Sequence, residues 1–108
     1  MLVEISADTV IIPKGSQNIL WKLTGQIHPE VALSLAIKEL VHFRVDATKA
    51  KIAAYEQKYG MIYSEFDQAW KDGEIEEPYS YPVEQDYMQW ETALLDLKSL
   101  EEILEWQA

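Results

Sequence analysis

Cysteine is absent from this chain, arginine occurs once, as Arg44, and histidine twice. Without cysteine there is neither a disulfide framework nor a zinc site built on thiolates, which fits a reducing compartment. Long apolar runs are also missing: the longest uninterrupted stretches hold three or four residues, against about 20 for a membrane span. No basic segment leads into an apolar one near the start, so neither a secretory signal nor a membrane span is expected, and a cytoplasmic location is.

Catalytic signatures are equally scarce. His28 and His42 lie fourteen residues apart, not at the three- or four-residue spacing that places two ligands on one helical face. Asp46, one helical turn from His42, could orient an imidazole, with Ser34 or Ser64 as a nucleophile, yet no G-x-S-x-G turn or oxyanion element accompanies them. Asp67, Asp72, Glu74, Glu76 and Glu77 do not fit a calcium loop, and no glycine-rich phosphate loop occurs. No enzyme, cofactor or metal is expected.

What the chain does have is a division of charge. Its 108 residues carry a net charge of −10, but residues 1–54 hold six Lys/Arg and five Asp/Glu, whereas residues 55–108 hold three and fourteen. Ten of the twelve aromatic residues lie in that second half. Such a field repels phosphate backbones and attracts basic surfaces, so nucleic acid is not an expected partner and a basic protein is.

One domain is expected over residues 1–108, with a dimerising strand-helix-helix part (1–54) and an acidic, aromatic helical part (55–108). The β-branched run Leu2–Ile12 before Pro13 reads as a short N-terminal β element. Ser16 is placed to cap a short helix that Gly25 would stop. From Pro29 to Tyr59 neither Gly nor Pro interrupts the chain, which predicts one long helix of roughly 45 Å. Leu33, Ala36, Leu40, Phe43, Ala47, Ala50 and Ala54 alternate spacings of three and four, a seam expected to pair with another helix, most simply in a dimer.

Beyond Gly60, Ser64 to Asp67 has capping-box spacing and opens a short helix ending at Gly73. Residues 74–82 hold two prolines and read as an irregular acidic connector. A last helix runs from about Val83, burying Val83, Tyr87, Trp90, Leu94, Leu97, Leu100 and Leu104, with Glu84, Asp86 and Glu91 outward. The expected fold is therefore mainly α, with a short β element, a long central helix packed by shorter C-terminal helices, and an intertwined dimer.

The order of strand, Pro13, short helix, turn and second helix over residues 5–45 resembles a ribbon-helix-helix unit. That resemblance implies dimerisation. The strand offers Glu4, Ser6, Asp8 and Thr9 where that family reads DNA with polar or basic side chains, a poor set for the major groove. Residues 55–95 carry Tyr55-x-x-Lys58-Tyr59-Gly60-Met61, then Phe66 and Trp70, then Tyr81-x-x-Glu84-x-Asp86-Tyr87-x-x-Trp90-Glu91. This pattern resembles a group of small prokaryotic antitoxin-like proteins. The resemblance implies a C-terminal segment that occludes a basic toxin encoded nearby, with Tyr79, Tyr81, Glu84, Asp86, Trp90 and Glu91 as partner-binding residues. The alternatives are a structural subunit that joins a larger assembly through the seam from Leu33 to Ala54, and a DNA-binding regulator of ribbon-helix-helix type.

Overall fold

The computed structural model describes residues 11–107, with side chains through residue 106. Every regular element among the described residues is α-helical: α1 (Lys14–Thr24), α2 (Pro29–Tyr59), α3 (Tyr63–Lys71) and α4 (Tyr81–Gln107). The expected short N-terminal β element is thereby corrected. Residues 11–13 form no strand, and the rest of that segment, residues 1–10, lies outside the described residues. A strand needs a neighbour to take its backbone hydrogen bonds, and β-branched composition alone supplies none.

The chain divides into two compact units, Met1–Glu39 and Leu40–Ala108. The boundary falls inside α2 and not at residue 54, where the charge divides.

In the first unit α1 begins two residues before the expected Ser16 cap, with Pro13 as its N-cap. The Gln17 side-chain amide donates to the Ile12 carbonyl at 2.8 Å, holding the entry to the helix. Gly25 closes α1, its N–H donating to the Trp21 carbonyl at 2.7 Å. Among the described residues of this unit only Ala32 is buried, while Ile19, Trp21, Leu23 and Ile27 are exposed.

The long helix α2 has the bounds its sequence predicts. Pro29 occupies the first turn, where its missing N–H costs nothing, and Glu30 and Lys58 set the favourable charge at each end of the helix dipole. Within the second unit its buried stripe is Val41, Val45 and Ile52, continued by half-buried Thr48, Tyr55 and Tyr59. These spacings alternate four and three, as in a helix–helix seam.

The facing helix α4 runs antiparallel to this part of α2. Tyr59 meets Asp86, Tyr55 stacks on Trp90, and Leu40 to Thr48 share a groove with Asp96, Ser99 and Leu100. Both C-terminal helices are shorter than the 31 residues of α2, α3 with 9 and α4, only slightly shorter, with 27. Leucines at 94, 97, 100 and 104, all half-buried, extend its seam without a helix breaker.

Between them α3 starts at Tyr63, not after Ser64, because Ile62 is its N-cap and Glu65 accepts the Ile62 N–H at 3.0 Å. Its end is a Schellman motif: Glu74 N–H donates to the Ala69 carbonyl at 2.8 Å and Gly73 N–H to Trp70 at 3.2 Å. Gly73 takes φ +70° there, a conformation that penalises any side chain.

Candidate functional site

The second unit is organised around one indole. Trp90 and Phe66 are both fully buried. Around Trp90 stand Tyr55 and Tyr59, stacked at 5.6 and 5.9 Å, Tyr63 edge-on at 5.5 Å, and Phe66 at 5.2 Å. Tyr87 and Trp70 extend the cluster, in edge contact at 4.5 Å. Removing such rings from water stabilises the unit by ~1.5–3 kcal/mol for Phe66 alone, and ring pairs add more through their preferred tilted geometries.

Each tyrosine keeps its polar tip satisfied by a carboxylate or amide. Tyr59 donates to Asp86 at 2.6 Å, Tyr63 to Glu91 at 3.0 Å and Tyr55 to the side-chain amide oxygen of Gln89 at 3.0 Å. Tyr87 donates to Asp67, which also pairs with Lys71 at 3.0 Å. Burial, followed by these acidic acceptors, pushes the Tyr59 and Tyr63 hydroxyls well above the ordinary phenol value. At Asp86 partial burial favours the neutral acid, but hydrogen bonds from Lys58 and Tyr59 outweigh it and hold the carboxyl below its ordinary range.

This geometry sorts the six residues expected to bind a partner. Trp90, with 0% exposure, lies at the centre of the core. Asp86 is half-buried and already holds Lys58 and Tyr59. Glu84 and Glu91 are exposed and line one shallow depression with Trp70, Tyr87 and Met88. Positions 84, 88 and 91 share a helical face, which is why they converge. Tyr79 stands edge-on to Trp70 at 5.9 Å while remaining 79% exposed, and Tyr81 is 76% exposed.

Trp70, Tyr87 and Met88 are the lining residues that sequence reasoning did not assign to a surface. The signal was the position of Met88, four residues after Glu84 and three before Glu91. From Asp72 to Asp96 the chain carries eight carboxylates and no Lys or Arg. The site is thus an aromatic-floored depression with an acidic rim and exposed tyrosines beside it.

The residues expected to dimerise are, with one exception, exposed. Leu40, Phe43, Ala47, Ala50 and Ala54 are exposed, as is Leu33, and Ala36 is half-buried. Among the described residues no three potential ligands group to hold a metal ion, and no helix is long and apolar enough to cross a membrane. Compared with known proteins, the chain matches no family model, no curated protein and no solved structure.

Proposed function

We propose that this chain is a non-catalytic interaction module, antitoxin-like in layout, whose acidic C-terminal half docks on a basic protein and occludes it. The observation that carries this reading is the Trp70, Tyr87 and Met88 depression rimmed by Glu84 and Glu91, next to exposed Tyr79 and Tyr81. Aromatic side chains that remain exposed beside a core of their own kind are the residue type that anchors interfaces. The carboxylates steer a basic surface into place, raising the rate of encounter more than the depth of affinity. Long Lys or Arg stems of the partner cover the ring faces while their charged ends reach Glu84 and Glu91.

The test is association with the product of the neighbouring gene, measured at low and at high salt. The expected result is an association rate that falls about tenfold or more as salt rises. An association rate indifferent to salt would remove the electrostatic part of the reading. The absence of any complex at low salt would remove the whole of it.

A further inference from the structure

The long helix α2 carries two apolar stripes, and only one of them is buried within the second unit. Val41, Val45 and Ile52 are buried and Thr48 is half-buried. Two residues beyond each, and so about 200° around the helix, stand Phe43, Ala47, Ala54 and Ala50, all exposed. With Leu40 they form a second seam of spacing three, four, three, four. Leu40 is 52% exposed and Phe43 68%, so water contacts the two largest apolar groups of this face.

We propose that a second copy of this chain covers the face, its α2 packed antiparallel to the first about a two-fold axis at Ala47. The inference goes beyond the docking of a basic protein and does not rest on it.

The order of sizes along the seam selects both occupant and direction. Its large residues, Leu40 and Phe43, lie seven and four residues to one side of Ala47, and its small ones, Ala54 and Ala50, lie seven and three residues to the other. An antiparallel copy places Phe43 against Ala50 of the second copy and Leu40 against Ala54, twice each, with Ala47 meeting itself. Each of the four outer layers then joins one large and one small side chain, so the helix axes keep one separation on both sides of the two-fold axis, where the Ala47 pair is the single layer of two small residues. A parallel copy would stack Phe on Phe and Ala on Ala, forcing the helices to splay. A two-fold interface demands that one patch be complementary to itself, and this gradient about Ala47 meets that demand.

Charge makes a smaller contribution. Arg44 of one copy approaches Lys51 of the other, and Asp96, which lines the same groove as Arg44, supplies a counter-charge. The paired stretch is about 21 Å long, near the lower limit of area for a specific interface. A dissociation constant on the order of 10 µM is therefore expected, not a nanomolar one.

The absence of cysteine in the native chain makes the test clean. Single Phe43→Cys and Ala50→Cys chains are mixed and oxidised at tens of micromolar, with Ala47→Cys alongside. The mixed pair should cross-link at least tenfold faster than either variant with itself, and Ala47→Cys should cross-link to its own kind. Sedimentation provides the second readout: Phe43→Ala should weaken the dimer at least tenfold, and Phe43→Ala with Ala50→Phe should restore it. Since both positions are exposed in the protomer, helical content should stay unchanged. A wild-type chain that remains monomeric at millimolar concentration would overturn the proposal. So would faster self-linking of Phe43→Cys than of the mixed pair, or a swap variant as weak as the single one.

Discussion

Tyr59 and Lys58, neighbours at the end of α2, both donate to the same carboxylate oxygen of Asp86 on α4, the tyrosine at 2.6 Å. An acid from the most negatively charged part of the chain is thereby committed to holding two helices together. Asp86→Ala should lower stability by ~1–2 kcal/mol, the worth of hydrogen bonds to a partly screened charged acceptor. Denaturant unfolding measures that loss. Partner affinity of the folded variant should change less than for Glu84→Ala, and the reverse order would return Asp86 to the binding surface.

Trp90 should act purely as core. Trp90→Ala should cost ~3–5 kcal/mol, and Trp90→Phe appreciably less, because Tyr55, Tyr59, Tyr63 and Phe66 keep a ring to pack against. Thermal unfolding of the two variants distinguishes them. An alanine variant as stable as the native chain would contradict the buried cluster.

Two families of groups set opposite pH limits. Asp67 is held below its ordinary value of 3.8 by hydrogen bonds from Tyr87 and Lys71, and Asp86 is depressed as well. A depressed folded value means stabilisation that is present above the unfolded value and lost as pH falls through the folded one. The tyrosines behave the other way. Burial raises Tyr55, Tyr59 and Tyr63 from 10.0, and the bond to Asp67 raises Tyr87. Their stabilisation is complete below pH 10 and is lost above it. Stability should therefore be flat between about pH 5 and pH 9 and decline on both sides. Far-ultraviolet dichroism in urea across that range checks both limbs, and Tyr59→Phe should soften the alkaline one.

At Gly73 the cost of a side chain is purely conformational. A Cβ there would meet no atom within 4 Å, yet the residue sits at φ +70°. Gly73→Ala should destabilise by ~1 kcal/mol or slightly more, with Gly73→Asn milder because Asn tolerates the left-handed region. A calorimetric melting series on the three chains would show that order, and equal melting points would refute the Schellman ending of α3.

Much of this architecture is legible in the sequence where punctuation is local. Pro29 and Gly60 bracket α2, and Gly73 ends α3, because each acts within one turn of chain. Faces are harder. On α2 two seams of identical spacing lie two residues apart, and periodicity cannot say which is covered at home; Val41 and Phe43 differ only in what α4 places opposite them. From sequence Trp90 fits both core and anchor, because aromatic residues serve either role until a neighbour is placed. The β-branched run before Pro13 marks a preference that only a pairing strand could realise, and residues 11–13 form no strand. In the acidic half the sequence shows how many carboxylates there are, but not that tyrosine hydroxyls at 59, 63 and 87 engage three of them.

The position of Trp90 also makes it a built-in optical reporter. Its indole N–H has no hydrogen-bond partner and its ring is wholly sealed, so its emission should be that of a dry, apolar site. Trp106, 91% exposed near the end of α4, should emit as an indole in water. The same helix therefore carries two lamps of different colour. One would shift only when the helices part, and the other would respond to whatever approaches the helix tip.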